Sequence, residues 1–343
     1  MNNKVLVTGG TGYIGSHTVV ELLEKDFEVF IIDNLSNSRI EILDRIHTIT
    51  GKQPEFEKFD LCDQDRLRTF FKQNKDIGSI IHFAAFKAVG ESVEKPLKYY
   101  RNNLLSLMNL LDGMEEFRIP NLVFSSSCTV YGQAENLPVT EKTPIKPAES
   151  PYGNTKQISE NIIQDNVYSS EFIKSISLRY FNPIGAHPSA LIGELPMGIP
   201  DNLVPYITQT GMGIRDFLRV FGDDYNTPDG SAIRDYLHVV DLAKAHVMAI
   251  ERLFEKKSKP NYEVFNLGTG KGVSVFEMIK SFERVSGQKL NFKILDRRPG
   301  DIEKIWADTR HANIELGWKT ESSLDEAVKT AWDWEKHYRK SNL

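Results

Sequence analysis

The sequence predicts an α/β protein with a doubly wound parallel sheet and a second, smaller, discontinuous domain. Three observations predict it. The apolar run Lys4-Val5-Leu6-Val7 leads directly into a glycine-rich turn, Thr8-Gly9-Gly10-Thr11-Gly12-Tyr13-Ile14-Gly15. Strand-like and helix-like stretches then alternate through the first half, as right-handed crossovers between parallel strands require. At 343 residues, the chain exceeds one small core and divides most naturally into two lobes.

The opening element is a strand, a turn and a helix. Glycines at 9, 12 and 15 let the backbone turn sharply and approach a diphosphate, while the helix N-terminus offers unpaired N–H groups and a positive dipole end. The next strand, Glu28-Val29-Phe30-Ile31-Ile32, ends in Asp33, near the spacing of ~20 residues expected for an acid on the adenosine ribose. A carboxylate there repels a 2′-phosphate, so the pattern is Rossmann-like and favours NAD over NADP.

After Asp33 the pattern predicts a helix over 40–48 and a run over 55–60 ending in Asp60. The strand Ser79-Ile80-Ile81-His82-Phe83-Ala84 follows, then a long helix over 96–117. Asn121-Leu122-Val123-Phe124 runs into Ser125-Ser126-Ser127, followed by a helix over 152–168 and a strand over 173–180. Ligands in such sheets gather at the carboxyl ends of strands, where Gly9, Asp33, Asp60, Ala84 and Ser127 all fall. Residues 183–205 are rich in proline and glycine and read as loop. A helix over 238–256 and a strand over 262–267 return to the sheet; a helix over 274–286, a run over 291–295 and a helix over 324–338 complete the chain. The expected division is a cofactor domain over 1–182, rejoined by 238–268, and a substrate domain over 183–237 and 269–343.

Composition narrows the partners. With 40% hydrophobic and 26% charged residues and a net charge of −5, the chain lacks the basic field of a nucleic-acid or anionic-membrane binder. Two cysteines, Cys62 and Cys128, supply neither a metal cluster nor a disulfide framework, so no metal is expected and the cytoplasm is the expected compartment. No secretory signal and no stretch of ~20 apolar residues is expected to take the chain to or through a membrane.

Tyr152 and Lys156 stand four apart on the predicted helix and share a face. A phenol titrates near ~10 and is a poor base at neutral pH, but a nearby ammonium and a pyridinium ring would stabilise its phenolate. Ser127, at a central strand end, would give its hydroxyl to the same substrate oxygen. A Tyr-x-x-x-Lys pair is common on helices; its position after a nucleotide-binding turn and a strand-end serine cluster is what makes it a catalytic candidate.

The chain resembles the extended short-chain dehydrogenase/reductase family, and within it the UDP-hexose 4-epimerases. The resemblance spans nearly the whole chain. It is carried by Gly12-Tyr13-Ile14-Gly15-Ser16-His17, Asp33-Asn34-Leu35, Lys87-Ala88-Val89-Gly90-Glu91-Ser92-Val93, Ser125-Ser126-Ser127-Cys128-Thr129-Val130-Tyr131-Gly132, Ser150-Pro151-Tyr152-Gly153, Arg179-Tyr180-Phe181-Asn182-Pro183, Gly185-Ala186-His187-Pro188, Arg234-Asp235-Tyr236 and Asn266-Leu267-Gly268. The run over 87–93 and the loop over 185–188 are the more specific to epimerases.

That resemblance implies a reaction. Tyr152 takes the 4-hydroxyl proton of UDP-glucose or UDP-galactose while hydride passes to tightly bound NAD; the 4-keto sugar turns over and the hydride returns to its other face. It implies NAD contacts from Gly9, Gly12, Tyr13, Ile14, Gly15, Asp33, Asn34, Asp60, Leu61, Phe83, Ala84, Lys87, Asn102, Lys156 and Tyr180. Substrate contacts are implied for Ser127, Tyr152, Phe181, Asn182, Asn202, Arg234, Tyr236, Arg298, Asp301 and Ile305. Two arginines suit a diphosphate because the guanidinium fork pairs bidentately with phosphate oxygens. Family members restricted to hexoses often carry tyrosine just before the residue matching Trp306; Ile305 would leave room for UDP-N-acetylhexosamines, unless its neighbours close the space. A homodimer through the long helix after Ala88 and the Tyr152 helix is also implied. A sugar-nucleotide 4,6-dehydratase is the nearest rival, but it places Asp-Glu where this chain has Cys128-Thr129. A non-catalytic NAD sensor is a further alternative.

Overall fold

Successive residues of the first strand, β1 (Lys4–Thr8), enter different cores: Val5 and Val7 join one hydrophobic cluster and Leu6 another. Side chains alternate across a strand, so burial on both sides marks a sheet covered on both faces. The structure, a computed structural model, describes residues 3–258, 260–298 and 302–341. After β1 come α1 (Tyr13–Glu24), β2 (Glu28–Asp33), α2 (Ile42–Thr50), β3 (Glu55–Lys58), α3 (Gln64–Gln73), β4 (Ile77–His82), α4 (Val89–Glu94), α5 (Pro96–Phe117), β5 (Asn121–Ser125), α6 (Pro151–Ser169) and β6 (Lys174–Tyr180). The chain continues through β7 (Asn182–Ile184), α7 (Leu203–Gly211), β8 (Leu218–Phe221), β9 (Ile233–Arg234), β10 (Tyr236–His238), α8 (Val239–Phe254) and β11 (Tyr262–Leu267). It ends with β12 (Val273–Ser274), α9 (Val275–Ser286), β13 (Phe292–Leu295), β14 (Lys304–Ile305) and α10 (Leu324–Ser341).

Seven strands form one parallel sheet in the order β11-β6-β5-β4-β1-β2-β3. The direction of winding reverses between β1 and β4, which opens a crevice at their carboxyl ends. Helices α1, α2 and α8 cover one face and α3, α5 and α6 the other, making a Rossmann-like doubly wound fold. A third cluster, built from α7, β8, α9 and α10, carries residues such as Ile207, Val220, Phe282 and Trp332 and packs apart from the sheet.

The stretch over 183–205, read from sequence as loop, differs at both ends. Asn182–Ile184 pairs in parallel with Tyr236–His238, and Leu203 begins α7. The partner of β7 lies more than fifty residues away, so its pairing comes from tertiary contact and leaves no local periodic signal. No helix among the described residues is long and apolar enough to cross a membrane.

Candidate active site

The glycine turn is shaped by backbone crowding. Gly9 has a φ of 71°, and a Cβ on it would sit 2.8 Å from the Ala84 nitrogen. A Cβ on Gly15 would run into the Gly9 carbonyl oxygen, so this residue lets α1 pack against the turn. Helix α1 starts after Gly12 with no side-chain cap and no acid in its first turn, leaving the positive end of its dipole unopposed. Tyr13 and Ile14 form that end.

Asp33 closes β2 and accepts hydrogen bonds from the backbone of Leu35 at 2.9 Å and from the Ser38 hydroxyl at 3.1 Å. Asn34 donates to Asp60 at 3.0 Å, and the Cys62 N–H does so at 2.9 Å. Burial pushes the Asp60 carboxyl up, but these donors outweigh it and hold the group below its ordinary value. A tight turn, an open helix end and acids beyond it fit a dinucleotide such as NAD.

Phe83 and Ala84 follow β4, with the Phe83 N–H bonded to the Thr8 carbonyl at 3.0 Å. The Leu61 carbonyl accepts from Asn109 at 2.9 Å. Asn102 donates to the side chain of Asn103, which in turn grips both backbone groups of Phe86 and the Thr155 hydroxyl. Asn103 thus ties the loop leading to Lys87 to the helix carrying Lys156, a role that sequence reasoning missed beside its neighbour.

Ser150 caps α6, its hydroxyl accepting the Gly153 N–H at 3.1 Å, with Pro151 at the first helical position. This start brings Tyr152 and Lys156 beneath the end of β5. Tyr152, Lys156 and Ser127 are all buried, at 7%, 5% and 7% exposure. The Lys156 ammonium donates to the Ser125 carbonyl at 2.6 Å and lies 4.7 Å from the Phe124 ring centroid and 6.0 Å from that of Tyr152. Burial pushes Lys156 down to about 8, with Glu160 pulling the other way.

Here the surroundings differ from the sequence expectation. Burial drives the Tyr152 phenol well above 10, and the Ser127 hydroxyl, which favours ionisation, does not offset it. Lys156 is turned toward a carbonyl, so the protein alone keeps the phenol protonated. Tyr180 bonds the Ser125 hydroxyl at 2.9 Å and is itself pushed up to about 12 by burial.

Below these residues runs a buried network absent from the sequence reading. Glu160 accepts from the Ser126 hydroxyl at 2.5 Å and pairs with Arg179; Arg179 also reaches the Tyr131 hydroxyl at 3.0 Å, which bonds Asn266 at 2.6 Å. The Glu160–Arg179 pair is 6% exposed on each side. The network anchors the serine run to both α6 and the neighbouring strands.

The remaining substrate candidates come from segments that follow β6. Asn182 opens β7 opposite Tyr236 on β10, and Arg234 on β9 pairs in register with Ile305 on β14. Arg234 lies close enough to Cys128, next to Ser127, to favour its thiolate, although burial pushes that thiol up to about 12. Arg298 lies over the Phe221 ring at 4.5 Å from its centroid, and Asn202 begins α7. Asp301 lies outside the described residues.

Two residues sit deeper than expected for ligand contacts. Phe181 is 3% exposed and Ile305 2%, both within the cluster that also contains Val139 and Ala307. The room expected beside Ile305 is filled here by packed neighbours. Asp235, given no role of its own in the sequence motif Arg234-Asp235-Tyr236, is fully buried and accepts four hydrogen bonds, from the Thr269 N–H and hydroxyl and from the N–H groups of Gly270 and Ala307. It joins three segments beside Arg234 and Tyr236.

A family model described as GDP-mannose 4,6 dehydratase matches residues 6–331. The UDP-glucose 4-epimerase of Dictyostelium discoideum is 48% identical over 335 residues, covering 98% of this chain and 96% of that protein. The crystal structure of UDP-glucose 4-epimerase from Bifidobacterium longum in complex with NAD+ and UDP superposes with a TM-score of 0.94 at 45% identity, over 98% of this chain and 99% of that one. The UDP-Glc/GlcNAc 4-epimerase of Campylobacter jejuni superposes with a TM-score of 0.84 at 34% identity, over 97% and 99%.

Proposed function

The chain belongs to the UDP-glucose 4-epimerases of the extended short-chain dehydrogenase/reductase family, and from that premise we propose how its own residues carry the reaction. It is an NAD-dependent isomerase that interconverts UDP-glucose and UDP-galactose. NAD, when bound in this cradle, would supply a reversible acceptor for the C4 hydride.

In this reading Tyr152 holds and moves the proton of the 4-hydroxyl, and Ser127 donates to the same oxygen. Lys156 orients the nicotinamide ribose and lends positive charge. The turn over 9–15 and the α1 end hold the cofactor diphosphate, and Asp33 takes the adenosine ribose. Asn34, Asp60, Leu61, Phe83, Ala84, Lys87, Asn102 and Tyr180 complete the cradle. Arg234 and Arg298 clamp the UDP diphosphate, with Asn182, Asn202, Tyr236, Phe181 and Asp301 around the nucleotide. The observation that carries this reading is the convergence of buried Tyr152, Lys156 and Ser127 at the end of β5, two strands from the glycine turn in the same sheet. Cys128 and Thr129 stand where an elimination of the C6 hydroxyl would require carboxylates, which favours epimerisation over dehydration.

Tyr152→Phe tests it. Removing a positioned proton-transfer group should lower turnover by ~10²–10⁴-fold while leaving UDP-sugar affinity nearly unchanged. Turnover near wild type would remove Tyr152 as the acid/base.

We assign residues 1–182 and 238–268 to the cofactor and 183–237 and 269–343 to the nucleotide sugar. UDP-N-acetylhexosamines are proposed as further substrates on the likeness to the Campylobacter relative, which is named for both sugars, and not on space at the buried Ile305. Turnover of UDP-glucose without any of UDP-GlcNAc under the same conditions would refute this. A homodimer is supported by exposed Val93, Leu97, Leu105 and Met108 along α4 and α5. The free thiols of Cys62 and Cys128 support a cytoplasmic location.

A further inference from the structure

Glu194 lies between β7 and α7, where the cofactor and nucleotide candidates meet. Its Oε1 accepts from the Lys87 ammonium at 3.1 Å and from the Asn202 carboxamide at 2.6 Å, with 12% of the side chain exposed. The backbone beneath it is fixed by α10. The Trp334 indole donates to the Glu194 carbonyl at 3.0 Å, and the ring occupies the space that a Cβ on Gly193 would need, 2.5 Å from its Cγ. The glycine turn reaches the same place. Tyr13 donates to the Gly185 carbonyl at 2.7 Å, and the Glu194 charge adds to burial in pushing the Tyr13 phenol up.

An acid beside residues assigned to two anionic ligands requires an explanation, because its charge repels both. The Lys87 ammonium offsets that charge. The shared oxygen then imposes a geometry: a carboxylate whose backbone is held by α10 fixes an ammonium from the cofactor lobe and a carboxamide from the substrate lobe at once. Neither Lys87 nor Asn202 is held this way by its own element, since Lys87 follows β4 on a loop and the Asn202 side chain makes no capping bond to α7.

We propose that Glu194 is a positioning residue that orients Asn202 toward the nucleotide sugar while locking it to Lys87 of the cofactor cradle. The proposal rests on the assignment of Asn202 to UDP and Lys87 to NAD made above.

The test uses the NAD-loaded protein, with UDP affinity from calorimetry and KM and kcat for UDP-galactose, in Glu194→Ala, Glu194→Gln and Asn202→Ala. Loss of a charge-assisted hydrogen bond should weaken UDP binding and raise KM about tenfold in Glu194→Ala. Its kcat should stay within about twofold, the signature of lost ground-state binding. Glu194→Gln keeps an oxygen for the Asn202 amide and should recover most of the lost affinity. Wild-type UDP affinity in Glu194→Ala, with Asn202→Ala weakened, overturns the positioning role alone. Unchanged affinity in Asn202→Ala overturns the underlying assignment and the proposal with it. A parallel loss of kcat and affinity in both Glu194 variants, with no recovery by glutamine, would mark Glu194 as merely structural and contradict the proposal.

Discussion

Lys156 and Glu160 share one face of α6, and the Glu160 charge opposes the effect of burial on Lys156. Burial lowers the Lys156 pKa to about 8 and Glu160 raises it, so the ammonium is lost as pH rises through that value. Replacing Glu160 by Gln removes the raising charge. The alkaline limb of a pH–rate profile should therefore move to lower pH; an unmoved limb would show that Lys156 charge does not govern it. The same substitution strands Arg179 in the interior, and breaking a buried pair by removing one partner costs ~3–5 kcal/mol, readable by urea unfolding. Tyr152 and Lys156 were legible in the sequence because their spacing is helical and local. Glu160 was not: its partner Arg179 comes from β6, and only the packing of α6 against that strand brings the two together.

At the scale of elements, the start of α6 and the start of α1 carry the site. Ser150→Ala removes the N-cap just before Pro151 and Tyr152 and should cost about 1 kcal/mol of stability. Turnover should fall more than UDP affinity, since the loosened turn carries the phenol; thermal unfolding and steady-state kinetics measure both. Gly15→Ala places a methyl against the Gly9 carbonyl, an overpacking that costs ~1–3 kcal/mol and displaces the backbone that faces the diphosphate. The purified variant should retain much less NAD, measured by release on denaturation. The strands at 28–33 and 262–267 and the helix at 96–117 were legible because long apolar or amphipathic runs declare themselves locally. The two- and three-residue strands β7, β9, β10 and β14 were not, although they position Asn182, Arg234, Tyr236 and Ile305. Each exists through a partner distant in sequence.

Across the whole molecule, the sheet was legible as a parallel, doubly wound array because acids, glycines and serines recur where strands end. The convergence of the two lobes was less so, since Glu194 pairs with Lys87, 107 residues before it, and Asp235 with Ala307, 72 residues after it. The exposed apolar stripe on α5 gives a prediction at this scale. Leu97, 62% exposed, changed to Glu should convert a homodimer to monomer in sedimentation without loss of the fold. A monomeric wild type would refute the dimer. The most direct test of the chemistry is to incubate the purified protein with UDP-galactose and no added NAD. UDP-glucose should accumulate to a fixed equilibrium ratio. Inertness that persists when NAD is supplied, or formation of a 6-deoxy-4-keto sugar, would contradict epimerisation through Tyr152.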